Sequence, residues 1–375
     1  MRTRGAVVRE APGKYEVVGI EVDDPRPGEI QVEVHAAGLC HSDDHIATRD
    51  LPVAVYPFAG GHEGAGVVTK APPNHKGLVE GDRVVFSFVP ACGRCRWCAV
   101  GRSHLCNLGG GTLAGARPGT TDDFRLHLAD DGRPVGQMSG LSTFCATTTV
   151  SVDSAIRLPE DIPFEVACLL SCGVGTGWGS AVNDAGVEPG HTVIVMGVGG
   201  VGINAVQGAR HAGASTLIAV DPVAFKREKA LEFGATHAVA TMDEAVEIAR
   251  EPTDGQGADS AIVTVGVTRP HHVGEAFAAI RKAGTCVVTG VGLMTQVGAD
   301  IPLGQLAFYG KRLQGSLFGS TNANADIDRQ IRLYRQGVLK LDELVTTTYA
   351  LDEIAQGYED MHAGRNLRGV LVHEH

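Results

Sequence analysis

The chain lacks several features that would each have opened a functional class. No stretch approaches the about 20 apolar residues that a membrane-spanning helix needs. The first residues, MRTRGAVVREAPGKYE, contain no apolar core long enough for an export signal. Positive charge is in deficit, with 32 Lys and Arg against 43 Asp and Glu, for a formal net charge of −11. That field repels nucleic acid and anionic lipid, so neither is expected as a partner. What remains is ordinary globular composition, 43% apolar and 20% charged, over 375 residues, enough for two domains with real cores. Nine cysteines without an export signal point to a reducing cytoplasm.

Four of those cysteines crowd into CGRCRWCAVGRSHLC: Cys92, Cys95, Cys98 and Cys106. Four thiolates on one short loop can close tetrahedrally around a zinc ion and leave no open position. Such a site pins a loop and does not turn over substrate. A nucleic-acid-binding zinc ribbon would split its cysteines into two pairs on a basic chain, and neither condition holds. Cys145, Cys168 and Cys286 read as small apolar residues of the interior.

The first half consists of short strands broken by Gly and Pro turns: RGAVVRE, EIQVEVHAAG, EGAGVVTK and DRVVFSFV. Alternation in QVEVHA favours antiparallel structure. Residues 107–140 are Gly-rich and irregular, long for a loop in a compact domain. After Cys172 the pattern becomes strand, helix, strand, helix: HTVIVMGVGG, GINAVQGARHAGA, TLIAVD, FKREKALEFG, ADSAIVTV, GEAFAAIRKAG, TCVVTGVG. Buried strands alternating with helices predict a doubly wound parallel sheet. The expected fold is therefore α/β, with a mainly antiparallel β domain over 1–174 and 318–375 and a Rossmann domain over 175–317. TCVVTGVG and GQLAFYGKRLQGSLF could extend the sheet across a two-fold, so a homo-oligomer, dimer or tetramer, is expected. The closing His-Glu-His, 373–375, reads as a frayed tail with stray metal binding as its other use.

Gly197, Gly199 and Gly202, with Val198, Gly200 and Val201 between them, write G-x-G-x-x-G at the end of a predicted strand. Asp221 closes the next strand, where the dinucleotide fingerprint expects an acid. The glycines let backbone approach a pyrophosphate, and the helix N-terminus stabilises its charge. Asp221 would accept hydrogen bonds from the adenosine ribose and repel a 2′-phosphate, favouring NAD. Lys226, a few residues on, is a further candidate contact to the cofactor.

Cys40 in GLCHSDDH, His62 in GGHEGAG and Cys172 in LLSCGVGTGWGS lie far apart, and each alone could be a packed core residue. Together, beside a dinucleotide turn and a four-cysteine lobe, they match a Cys₂His catalytic zinc with its fourth position open.

These motifs, with GHE and Cys172-Gly173 in the same order, make the chain resemble the zinc-dependent medium-chain alcohol dehydrogenases over essentially its full length. GLCHSDDH, SFVPACGRCRWC and ACLLSCGVGTGWGSAV look similar to a bacterial branch assayed with a nitrosodimethylaniline dye, some of whose members are nicotinoproteins that retain NAD(H). The resemblance implies a GroES-like catalytic domain, two zinc ions per chain, NAD, and interconversion of alcohols with aldehydes or ketones, zinc acting as Lewis acid on the oxygen. It also implies a proton relay from Ser42 through the nicotinamide ribose to His45 near solvent, with Asp43 orienting His62 and Glu63 close to the zinc. His41 and Arg368 would meet the pyrophosphate, Thr176 the nicotinamide, and backbone at Thr289, Ser316 and Phe318 its carboxamide. A moderately apolar primary alcohol is the default substrate, with Phe58, Phe88, Trp97, Leu113, Phe144 and Leu293 as possible pocket walls. Three alternatives stay open. One is a nicotinoprotein using another electron acceptor. Another is a thiol-adduct formaldehyde dehydrogenase, for which 107–140 offers no basic cluster although it carries Arg117. The last is a non-catalytic binding protein, which should have lost its zinc ligands.

Overall fold

The computed structural model describes residues 1–111 and 113–375. They form two compact units, Met1–Cys172 with Asn322–Ile331 and Leu341–His375, and Gly173–Thr321 with Arg332–Lys340. The division differs from the expected one in its C-terminal pieces, for identifiable reasons. Gln207 holds Lys340 by both backbone groups, accepting from its N–H at 2.8 Å and donating to its carbonyl at 3.2 Å. Thr321 donates its hydroxyl to the Gly175 carbonyl at 3.1 Å. Both ties keep these segments with the second unit.

In the first unit, five strands close a barrel: Arg2–Val8, Tyr15–Val22, Leu126–Leu128, Pro134–Gln137 and Phe58–Ala59. A second sheet runs Ala155–Arg157, Arg83–Phe86, Ala65–Lys70, Glu29–Gly38, Arg368–Val372 and Val345–Ala350, with Thr147–Ser151 also paired to Glu29–Gly38. Most pairs are antiparallel; Val345–Ala350 with Arg368–Val372 and Phe58–Ala59 with Pro134–Gln137 are parallel. The period of two in Glu29–Gly38 sends Ile30, Val32 and Val34 into a core with Val68, Val84, Phe86 and Val150. Each such side chain, fully buried, contributes roughly 1.5–3 kcal/mol. Glu33 and His35 fall on the opposite face and are half-buried.

The second unit is a six-stranded parallel sheet in the order His237–Val239, Thr216–Val220, Thr192–Met196, Ala258–Val263, Ile280–Val288, Arg312–Gly315. The first strand in sequence, Thr192–Met196, is central and buried at every position, which explains its unbroken apolar run. Strand order reverses there, so the crevice at its carboxyl end is where such folds bind ligands. The helix expected in GEAFAAIRKAG ends at Ala279; Ile280 turns extended and pairs with Ala258. Among the described residues, no helix is long and apolar enough to cross a membrane.

Candidate active site

In the first unit, Cys40 immediately precedes the helix His41–Thr48 with an extended backbone. His62 follows Gly61, whose φ of +92° is a glycine conformation; a Cβ there would meet the Phe144 nitrogen at 2.4 Å. Cys172 ends the 3₁₀ turn Cys168–Ser171. These three elements bring Cys40, His62, Glu63 and Cys172 together, all buried, with one ligand atom of each within 4.8 Å of the others. His62 donates Nδ1–H to Asp43 Oδ2 at 2.9 Å, and Asp43 Oδ1 accepts from the Gly61 N–H at 2.7 Å. That fixes the tautomer, leaving Nε2 as the lone-pair nitrogen. His62 Nε2 is buried with no hydrogen-bond partner, which is costly unless an ion uses it. Two sulfurs and an imidazole nitrogen fit catalytic zinc, so the donor chemistry and the unused nitrogen agree. Hydrogen bonding from Cys172 holds the Cys40 thiol well below its ordinary pKa.

Glu63 is fully buried, and its carboxylate pairs with the Arg368 guanidinium, which also donates to the Leu39 carbonyl at 3.2 Å. Burial pushes Glu63 up to about 7 against the pull of Arg368. Arg368, expected at the cofactor pyrophosphate, is 3% exposed and is engaged by Glu63 and the Leu39 carbonyl. Ser42 Oγ lies 3.8 Å from Cys40 Sγ. His45, expected near solvent, is 2% exposed, because the helix turns it inward, and its Nδ1 lies 3.1 Å from Asp50 Oδ2. Asp50 is the more exposed partner, and sequence reasoning missed it. His41 is half-buried, its ring 6.3 Å from those of His45 and His362.

Among the proposed pocket walls, Phe58 and Phe144 are completely buried in the core. Leu113 packs against the Phe58 cluster. Phe88 sets its edge against the His62 ring at 5.7 Å. Trp97 is half-buried in the helix Arg96–Ala99 of the four-cysteine lobe, and Leu293, in the second unit, is 39% exposed. Arg117 donates to Glu29, Asp123, Asp23 and the Phe124 carbonyl, so its guanidinium is fully engaged.

Cys92, Cys95, Cys98 and Cys106 form a second cluster, with the sulfurs within 4.8 Å of one another. Gly93 and Gly101, at φ +72° and +79°, turn the chain tightly enough to gather them. Backbone N–H groups of Cys98 and Asn107 bring the Cys95 thiol down to about 6, while burial pushes Cys98 up to about 12 and raises Cys106, so the four sulfurs become thiolates together only with a cation among them.

In the second unit, the glycine turn joins Thr192–Met196 to the helix Gly202–His211. Gly197 has φ +87°, and a Cβ on Gly202 would fall 1.9 Å from the Gly197 carbonyl, so the chain itself needs both. Gly199 is different: a Cβ there would meet only Lys226 Nζ, at 3.8 Å. This is open space beside an ammonium at a helix N-terminus, which suits a pyrophosphate. Asn204 ties the turn by donating to the Gly200 carbonyl at 2.9 Å, while Val201 stands at the helix N-cap and makes no side-chain cap. Thr264 donates to the Gly197 carbonyl at 2.6 Å. Asp221 accepts from the N–H groups of Val198 and Val223 at 3.0 and 2.9 Å, which aims its carboxylate.

Ser180, which the sequence reading did not single out, donates to the Thr176 carbonyl at 2.6 Å and so must accept from Thr289 and Ser316, at 2.9 and 3.1 Å. It gathers three of the residues expected around the nicotinamide. Phe318, Gly319 and Ser320 all have φ between +51° and +59°, a run of left-handed backbone beside them in sequence.

The alcohol dehydrogenase GroES-like domain model matches residues 26–159, and the zinc-binding dehydrogenase model matches residues 200–334. The chain belongs to the zinc-dependent medium-chain alcohol dehydrogenase family and is an oxidoreductase acting on alcohols. Over 373 residues it is 48% identical to the NDMA-dependent alcohol dehydrogenase of Amycolatopsis methanolica, covering 100% of this chain and 99% of that one. It superposes with a TM-score of 0.92 at 33% identity on an alcohol dehydrogenase zinc-binding domain protein from Burkholderia ambifaria. The corresponding values for benzyl alcohol dehydrogenase from Acinetobacter calcoaceticus are 0.91 and 29%; both structures are matched over 100% of each chain.

Proposed function

We propose that Cys40, His62 and Cys172 hold one zinc ion, that Cys92, Cys95, Cys98 and Cys106 hold another, and that the turn at Gly197–Gly202 holds NAD. The observation that carries this reading is the unused His62 Nε2 aimed among two cysteine sulfurs. Zinc in the first cluster supplies Lewis acidity toward an alcohol's oxygen, and NAD supplies the hydride acceptor. The chain's residues do the rest. Two thiolates and a neutral imidazole would balance the charge of a divalent ion held among them. Asp43 keeps His62 in the ligating tautomer. Ser42, beside Cys40, would stand where the alcohol's proton leaves, and His45 against Asp50 would form the far end of that relay. Phe88 gives the site an apolar edge that suits a primary alcohol carrying a hydrophobic group. The Asp221 carboxylate would repel a 2′-phosphate, which supports NAD over NADP. The full engagement of Arg117 counts against an anionic thiol adduct as substrate, and the retained ligand trio counts against a non-catalytic role.

A second reading is that NAD(H) stays bound and another acceptor re-oxidises it in place. The likeness to an NDMA-dependent relative favours it. The experiment that separates the two measures nicotinamide absorbance of the purified protein, then turnover of benzyl and aliphatic primary alcohols with added NAD and with nitrosodimethylaniline. Turnover with NAD alone supports exchangeable cofactor; bound nicotinamide with dye-only turnover supports retention; neither would sink both.

We further infer a homo-oligomer formed across the edge strand Arg312–Gly315, which is exposed along its length. Beside it in sequence, Leu303 and Phe308 are 74% and 90% exposed. An unpaired edge with apolar neighbours is unstable alone in water. The clustered free thiols support a reducing, cytoplasmic setting.

A further inference from the structure

The segment His373–His375 is seated, contrary to the expected fraying. His373 donates its backbone N–H to the His35 carbonyl at 3.0 Å, and its ring Nε2 lies 3.0 Å from the Thr143 carbonyl. His375 Nε2 lies 2.9 Å from the Val34 carbonyl. These contacts lay the segment along Glu29–Gly38, where Glu33 and His35 face away from the valine core. His375 Nδ1 then stands 3.7 Å from Glu33 Oε2, and His35 Nε2 stands 3.4 Å from Glu33 Oε1. Ligand atoms of all three residues lie within 4.8 Å of one another.

Two further observations indicate a site prepared for a ligand. His35 Nε2 is buried and has no hydrogen-bond partner. The imidazoles are also held in place: His35 stacks on Phe164 with centroids 4.6 Å apart, and the His35 and His375 rings are 4.9 Å apart. Ligands bonded at about 2.0–2.2 Å to one tetrahedral ion stand roughly 3.4 Å from each other. The two spacings to Glu33, one to each carboxylate oxygen, are 3.4 and 3.7 Å, and the two imidazole ligand atoms lie within 4.8 Å of each other.

We propose that Glu33, His35 and His375 form a further divalent-cation site, separate from both cysteine clusters, that pins 373–375 to the strand Glu29–Gly38. Two imidazoles and a carboxylate select a borderline ion of the zinc type, with the remaining coordination left to water. The site uses no thiolate, so it fills and empties without touching the cysteine-held ions.

Calorimetric titration of Zn²⁺ into the zinc-replete protein should reveal one additional ion per chain, and added Zn²⁺ should raise the melting temperature. Glu33→Gln, His35→Gln and His375→Asn should each weaken that uptake by about tenfold or more, with turnover and cysteine-held zinc unchanged. His375 is exposed, so His375→Asn carries the test even if a strand substitution unfolds the protein. Absence of uptake by the wild type beyond its cysteine sites, or undiminished uptake by His375→Asn, would overturn the proposal.

Discussion

Replacing Asp43 by Asn changes one atom and should disable the metal site through its neighbour. Asp43 is fully buried and accepts two hydrogen bonds, from His62 Nδ1–H and from the Gly61 N–H. An Asn side chain has one acceptor oxygen and one donor nitrogen. If the oxygen stays on the Gly61 N–H, its NH₂ faces His62 Nδ1 and forces that nitrogen to accept. The ring proton then moves to Nε2, where it blocks the lone pair needed for the ion. If the amide flips, two N–H groups face each other at Gly61 and one buried donor is orphaned. Loss of such a partner typically costs 10–100-fold in metal affinity, or roughly 1.4–2.7 kcal/mol. Chelator competition, with zinc counted as it leaves, should show one ion per chain released more readily while the four-cysteine ion stays put. Excess zinc should restore part of the turnover. Unchanged zinc affinity in Asp43→Asn would refute the orienting role.

Other substitutions probe separate parts of the structure. Cys95→Ser should lose about one ion per chain and lower the melting temperature, because it unpins the lobe. Glu29→Gln should cost about 3 kcal/mol in thermal denaturation: it faces the buried Arg117 and Arg125 at 3.1 and 2.7 Å, and an uncompensated buried charge remains. Burial alone would raise the Glu29 pKa, yet Arg125 chiefly outweighs it, and the pKa falls below 4.5. Its stabilisation is therefore present above that value and lost as pH falls below it, so the gap between wild type and Glu29→Gln should close on acidification. Gly199→Ala should keep the melting temperature and weaken dinucleotide binding, whereas Gly202→Ala should unfold the turn, since its methyl meets the Gly197 carbonyl at 1.9 Å. Equal melting temperatures for the two alanine variants would contradict that distinction.

The βα alternation, the glycine turn and the four-cysteine lobe were legible in the sequence because each is local: period, spacing and turn chemistry lie within a few tens of residues. The contacts that support the site were not. Arg368 and Glu63 are 305 residues apart, Ser180 and Ser316 are 136 apart, and Arg117 and Glu29 are 88 apart. No spacing rule predicts contacts made by a chain that leaves and returns to the same sheet. The trio Cys40, His62 and Cys172 was suggested by its ligand chemistry beside two local motifs, since separation in sequence says nothing about three side chains meeting. His45 illustrates the opposite error: a polar helix of about two turns reads as surface, yet the fold turns this ring inward against Asp50. The tail misled for a similar reason, because its anchor, the strand carrying His35, lies at the other end of the chain.

Zinc counted per chain in Cys40→Ser, with turnover of a primary alcohol measured on the same sample, tests the central claim most directly. The account predicts one ion fewer than wild type, no turnover, and an intact four-cysteine lobe with its ion retained. Wild-type zinc content, or turnover surviving the loss of that sulfur, would contradict it.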